Sequence, residues 1–171
     1  MITAKQLHAL LSYDPKTGIF VWLVDPPRGT KRAGKVAGSA KQKTEKLSYV
    51  DITIKGTQYG AHVLAVLYMT GTLPKNHVDH KDGNGLNNKW NNLREATNSE
   101  NLANASSYST NTSGARGVTW NKRLGRWQAQ IKFRGKNIYL GLFDKIDDAQ
   151  AAYSKKAIEL FGEFAKEKAC D

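Results

Sequence analysis

The segment Val78-Asp79-His80-Lys81-Asp82-Gly83-Asn84 puts a carboxylate beside an imidazole, and Asn92-Leu93-Arg94 and Asn98-Ser99-Glu100-Asn101 follow it with regularly placed carboxamides. Cleaving a phosphodiester requires that an attacking water lose a proton, that charge on the phosphoryl group be stabilised and that the leaving oxygen be neutralised. Asp79 can hold a divalent cation, and a neutral His80 can accept the proton. Adjacent residues of a strand point to opposite faces, so the two share one phosphate only where a bend or the following loop turns them around it. The competing reading of the pair is a structural turn.

Several neighbours carry less specific chemistry. His77 could line a phosphate, supply a ligand or face solvent. Arg94 could brace a phosphate or pair with an acid. Asn84, Asn87 and Asn88 could meet bases, phosphate or their own loop, and Asp82-Gly83 suits a tight turn. His62 sits on an otherwise apolar helix, where a core contact is the plain reading.

Charge surrounds this segment without filling it. The 171 residues carry a formal charge of +11, which favours a polyanionic partner. Residues 1–57 hold ten Lys/Arg against four acids, residues 58–100 four against four and residues 101–143 seven against none, so basic stretches flank the near-neutral one with Asp79 and His80. Hydrophobic residues make up 40% of the chain, enough for one ordinary core or two small ones and too many for long disorder. Cys170 is the single cysteine, which excludes an intrachain disulfide and a cysteine zinc ribbon. The apolar run Ala61–Met69 is too short to span a bilayer, and no secretion signal is legible. The expectation is a cytoplasmic protein with no membrane partner and no obligate protein partner.

The elements that must position these residues follow from periodicity. Leu7, Leu10 and Leu11 have helical spacing, Tyr13–Gly18 reads as a turn and Ile19–Val24 as a strand. A basic loop punctuated by Gly29, Gly34 and Gly38 leads to the alternating Tyr49–Ile54. Ala61–Tyr68 reads as a helix ended by Gly71 or Pro74, then a compact Asn-rich loop with another helix after it. Ser106–Ser113 suits a connector. Beyond it, Val118–Trp120, Arg126–Phe133 and Lys136–Phe143 read as strands. Ile146, Ala149, Ala152, Tyr153, Ala157, Leu160 and Phe164 trace a helix that Asp144 can cap, with Asp147 and Asp148 in its first turn.

The segment from Tyr59-Gly60-Ala61-His62 through Val78–Asn84, Asn91–Arg94 and Asn98–Leu102 resembles the HNH endonuclease family, particularly the homing endonucleases of bacteriophages. The resemblance implies a ββα-metal hairpin and helix around the scissile phosphate, with Asp79 as a metal ligand and His80 as the general base. It makes Asn92 the residue that orients the hairpin, local capping being the alternative. Asn101 becomes the second ligand where many relatives carry a final histidine, with Asn98, Glu100 or helix capping as competing readings. Hard oxygen donors favour one Mg²⁺ per active site, or Mn²⁺, over structural zinc. A phage-encoded chain would work in the host cytoplasm.

The unbroken basic stretch from Arg116 to Lys136, with Lys122, Arg123, Arg126 and Lys132 within it, is the strongest electrostatic footprint for double-stranded DNA. Gln128, Gln130 and Asn137 could add base contacts. Ser113–Val118 through Trp120, Gly125–Ile131, Ile138–Phe143 and Ala149…Tyr153 resemble the DNA-binding domain of plant ethylene-response factors. That likeness implies a three-stranded sheet in the groove with a helix behind it, and DNA-facing Arg116, Gln130, Lys132, Asn137 and Tyr139. Thr119 and Asn137 stand where plant members often carry Arg, so sequence preference does not transfer. A structural or protein-interaction module with a solvated basic face is the alternative.

The expectation is an α+β chain: a β-rich basic region (1–57), an HNH nuclease core (58–105), a linker (106–112), an ethylene-response-factor-like module (113–165) and a tail (166–171). Its expected function is metal-dependent DNA cleavage, as a site-preferring nickase of homing type. The alternatives are a DNA-binding protein with an inactive core and an RNA-directed nuclease.

Overall fold

Thr3 opens the first helix with a capping box: Gln6 N donates to Thr3 Oγ1 at 3.2 Å and Thr3 N to Gln6 Oε1 at 3.1 Å. In the computed structural model, which describes residues 1–26, 29–44, 47–104 and 113–165, this helix α1 (Ala4–Leu10) runs straight into β1 (Leu11–Asp14). The linker 106–112 and the tail 166–171 lie outside the described residues. β1 pairs antiparallel with β2 (Ile19–Trp22). Tyr13 and Asp14, read as turn residues, belong to β1; Asp14 holds the actual turn by accepting from Lys16 N at 2.9 Å and Thr17 Oγ1 at 2.8 Å.

β3 (Ser39–Thr44), β4 (Leu47–Ile54) and β5 (Thr57–Gly60) form an antiparallel sheet in that order. α2 (Ala61–Thr70) follows and ends at Gly71, whose φ of 78° is left-handed. Then β6 (His77–His80) and β7 (Leu93–Ala96) pair as a two-stranded hairpin, with a 3-10 turn at Trp90–Asn92 before β7. Periodicity alone placed a loop and a helix here, whereas the family resemblance implied a hairpin; the Asn-rich run is the long loop of a hairpin between two short strands.

The chain divides into two compact units, Met1–Ala96 and Thr97–Asp171. Leu7, Leu11, Phe20 and Ile52 share one buried cluster with Leu64, Leu67 and Leu93, so the core of the first unit runs across the expected 57/58 boundary. Each fully buried Leu or Phe here contributes about 1.5–3 kcal/mol of apolar burial. Residues 1–57 therefore help to build the platform that carries β6 and β7.

The second unit begins with α3 (Asn98–Asn104) and contains β8 (Val118–Asn121), β9 (Arg126–Phe133), β10 (Lys136–Phe143) and α4 (Ile146–Phe161). The sheet order is β10-β9-β8, all antiparallel, and Ala129 and Ile131 are buried with Ala149, Ala157 and Phe161 of α4. Alternation along β9 leaves Gln128, Gln130 and Lys132 on the other face. Lys145, not Asp144, is the N-cap of α4. Arg126 claims the Asp144 carboxylate through a two-pronged contact at 2.8 and 2.9 Å, which removes it from the cap. An α+β fold is thus shown, with the β6–β7 hairpin in the first unit and α3 in the second. Among the described residues no helix is long and apolar enough to cross a membrane.

Candidate active site

The β6–β7 register sets the partners of the Asp79-His80 pair: Asp79 faces Arg94 and His80 faces Leu93 across the hairpin. Both are buried, at 6% and 4% exposure. Asp79 Oδ2 accepts from Arg94 Nε at 3.0 Å and lies 2.9 Å from Arg94 Nη2. Of the two roles open to Arg94, the structure shows the pairing with an acid. The next residue along, His80, enters a different group: its ring centroid lies 5.3 Å from that of His62 and 5.9 Å from that of Tyr49, and its Nε2 lies 3.1 Å from Asn88 Oδ1.

β6 stops at His80 because the chain bends there. Gly83 N donates to His80 O at 2.8 Å and Lys81 N to Asn92 O at 2.9 Å, closing a turn in which Gly83 takes a φ of 74°. Asn92 then ties down the loop. Its Oδ1 accepts from Asp82 N at 3.1 Å, and its Nδ2 donates to Asp82 Oδ1 at 3.0 Å and Asn87 O at 2.8 Å. Asp82 also accepts from Asn84 N at 2.8 Å and Asn87 Nδ2 at 2.7 Å. Asn84, Asn87 and Asp82 therefore serve loop geometry. The loop lies against β4, since a Cβ on Gly85 would fall 2.4 Å from Ser48 O.

These surroundings set the charges. Burial, opposed by the Asn88 hydrogen bond and by Asp82 and Asp79, holds the His80 imidazole below its ordinary value. Burial also pushes His62 down to about 4, helped by His80 and opposed by Asp51. Both rings are neutral at physiological pH. Burial works to raise Asp82, but the hydrogen bonds from Asn84, Asn87 and Asn92 outweigh it and hold its carboxyl below the ordinary range. The core reading of His62 needs one amendment: its buried Nδ1 has no hydrogen-bond partner among the described residues. His77 is exposed.

Asn101 lies in α3, in the second unit. Its competitor Glu100 is engaged in a capping box: Thr97 N and Oγ1 donate to Glu100 Oε2 at 2.7 and 2.8 Å, and Glu100 N donates to Thr97 Oγ1 at 3.3 Å. Among the described residues no three His, Cys, Asp or Glu side chains cluster as a metal-binding group. The buried Asp79 carboxylate is a hard oxygen donor, the kind that suits a cation which keeps several waters and takes further ligands from phosphate.

In the second unit the cross-strand pairs Thr119↔Gln128, Gln130↔Tyr139 and Lys132↔Asn137 line the sheet face away from α4. Lys132, Asn137 and Tyr139 are exposed there, and Lys122 and Arg123 are exposed in the β8–β9 turn. Two predicted contacts have other work. The Arg116 guanidinium donates to Leu102 O and, at 2.6 Å, to Ala103 O, where it satisfies carbonyls at the end of α3. Arg126 is bound to Asp144.

The HNH endonuclease family profile matches residues 59–103, which contain α2, the hairpin and most of α3. Protein 3.8 of Escherichia phage T7 is 35% identical over 97 residues, covering 56% of this chain and 79% of that protein. The chain belongs to the HNH endonuclease family. An uncharacterised HNH endonuclease, L560, of Acanthamoeba polyphaga mimivirus is similar to this family member at 36% identity over 100 residues, 58% of the chain and 51% of that protein. A separate partial match, 45% identical over 47 residues, links 28% of the HNH chain to 10% of the AP2-like ethylene-responsive transcription factor TOE2 of Arabidopsis thaliana. The chain thus spans about half of the mimiviral protein and a tenth of the plant one.

Sequence reasoning missed two residues that meet His80 of this HNH hairpin. Tyr49 is brought to His80 by the β3–β4–β5 sheet, and no local pattern announces that. Asn88 was grouped with Asn84 and Asn87, and only burial separates it from them.

Proposed function

We propose that this chain is a metal-dependent DNA endonuclease that nicks one strand at preferred sites. The observation that carries the reading is the buried Asp79–His80 pair at the end of β6, where the chain bends into a turn pinned by Asn92. In this reading the bend would let the two adjacent residues address one phosphate. A neutral His80 takes a proton from water as the water oxygen bonds to phosphorus; the bond from phosphorus to the 3′ oxygen breaks, and that oxygen gains a proton from solvent. The products are a 5′ phosphate and a 3′ hydroxyl. Asp79 would hold Mg²⁺ or Mn²⁺, with Asn101 as the second ligand that the ββα-metal resemblance implies, and the cation would supply charge neutralisation at the phosphate and the leaving oxygen. Lys132, Asn137 and Tyr139 on the exposed sheet face, with Lys122 and Arg123 in the β8–β9 turn, hold duplex DNA, a reading supported by the basic composition and by the partial likeness to a plant transcription factor.

One observation favours a second reading, DNA binding with a silent nuclease core: Arg94 already occupies Asp79 Oδ2. The two are separated by incubating the chain with a randomised duplex library and Mg²⁺ or Mn²⁺ and sequencing both strands, with structured RNA as competitor. The nuclease reading expects strand-specific nicks that His80→Ala abolishes while binding persists. Binding without cleavage in either metal sinks it, and preferential cleavage of the RNA redirects it.

A further inference from the structure

A neutral imidazole has one nitrogen that carries a proton and one that can accept one, and the hydrogen bond made by the first decides which is which. His80 Nε2 lies 3.1 Å from Asn88 Oδ1. A carboxamide has a donor end and an acceptor end. The far end of this one is defined: Asn88 Nδ2 donates to the Leu86 carbonyl, which can only accept. The oxygen therefore faces the ring, the ring proton sits on Nε2, and Nδ1 is left with the lone pair.

Asn88 is held as firmly as it holds. It is 2% exposed, and its backbone carbonyl accepts from the Tyr13 hydroxyl at 2.7 Å in a buried bond. Burial and, secondarily, Asp14 push Tyr13 up to about 12, so that hydroxyl stays a donor. The β1–β2 turn presses directly on the same residue: a Cβ on Gly18 would fall 2.4 Å from the Asn88 carbonyl carbon, and Trp90 N donates to Pro15 O at 3.0 Å. A segment with no acid or base of the reaction is thus built against the residue that touches His80.

We propose that Asn88 is the positioning residue of His80: its Oδ1 holds the imidazole in the Nε2–H tautomer and so presents Nδ1 as the nitrogen that takes the proton from water, with the β1–β2 hairpin as its abutment through Tyr13. The use of Nδ1 rests on the nuclease reading; the tautomer is a property of the folded chain alone.

The test is the nitrogen NMR spectrum of the full chain with ¹⁵N-labelled histidine, free of metal, with His80 assigned by comparison with His80→Gln. The wild-type protein is expected to show a protonated Nε2 and an unprotonated Nδ1. Asn88→Asp, which keeps an acceptor oxygen, retains the proton on Nε2; Asn88→Leu, similar in size without an acceptor, loses that preference. In cleavage assays Asn88→Leu lowers kcat by about 10–100-fold with KM within about twofold, and Asn88→Asp recovers most of the loss. A wild-type Nδ1–H tautomer, or a spectrum that Asn88→Leu leaves unchanged, overturns the proposal. Where Asn88→Leu does not fold, Asn88→Ala takes its place against Asn88→Asp. A wild-type Nε2–H tautomer lost in the Asn88 variant, in a chain that never cleaves DNA, sinks the nuclease reading and leaves the Asn88 assignment standing.

Discussion

Arg94 grips Asp79 from the opposite strand of the hairpin, with Nε and Nη2 at 3.0 and 2.9 Å from one carboxylate oxygen, and the two side chains are only 9% and 6% exposed. Removing one partner from a buried ion pair costs far more than the pair itself contributes, because a charge stays behind in low dielectric. Arg94→Gln is expected to destabilise the chain by about 3–5 kcal/mol in urea unfolding. Adding Asp79→Asn to it should restore a large part of that loss. A single variant within about 1 kcal/mol of wild type would show that the ion pair is not a structural anchor.

Asn92 uses both ends of its carboxamide on the loop, accepting from Asp82 N and donating to Asp82 Oδ1 and Asn87 O. Asn92→Asp replaces the donor end with an oxygen that faces two acceptors, at a cost of about 2–4 kcal/mol at neutral pH. The new carboxyl has its folded pKa raised by the Asp82 charge. The variant's stability relative to Asn92→Ala is then greatest at low pH and falls as pH rises through that raised value. Urea midpoints for the two variants at pH 4 and pH 7 test this, and parallel pH profiles would refute it.

His62 titrates at about 4 in the folded chain, against 6.5 as its ordinary value. Between those values the unfolded chain binds more protons than the folded one, so stability rises with pH there. The contribution is complete above about 6.5, and about 3 kcal/mol of it is lost as pH falls to about 4. His62→Phe is expected to flatten this acid slope in denaturant titrations. His80, shifted in the same direction, keeps some slope in the variant.

DNA affinity should separate the exposed cations from the engaged ones. Lys132 is exposed on the sheet face, whereas Arg116 satisfies the carbonyls of Leu102 and Ala103. Lys132→Ala is expected to lower the slope of log affinity against log salt by about 0.9, the effect of one lost phosphate contact. Arg116→Ala should change that slope less and instead destabilise the second unit by about 1–3 kcal/mol, since it orphans carbonyls at the end of α3. Fluorescence anisotropy over a salt series, paired with thermal unfolding, distinguishes the two; equal slope changes would place Arg116 on the DNA.

The strands Arg126–Phe133 and Lys136–Phe143 were legible to the residue: the first alternates with a period of two, and Gly125, Gly135 and Asp144 bound the pair. Helix α2 was legible from its apolar run, read as Ala61–Tyr68 and observed as Ala61–Thr70, with Gly71 as its left-handed stop. β3 was not, since Ser39–Thr44 has no apolar alternation of its own and becomes a strand by pairing with β4. Nor was the use of Asp144: a side chain suited to a helix cap is equally suited to a guanidinium, and Arg126 lies 18 residues away in sequence.

The sequence by itself determined the chemistry available to this protein, an acid and an imidazole side by side and a basic stretch free of acids, because these are properties of residue type and local order. Only the tertiary structure decided how that chemistry is set. Whether Arg94 meets a phosphate or an acid, which of three similar asparagines touches His80, and which cations are engaged within the fold all depend on contacts between residues distant along the chain. At Asp79 and Asn88 those contacts are selected by burial, which makes an unmatched polar group costly and so favours a partner that no local pattern names.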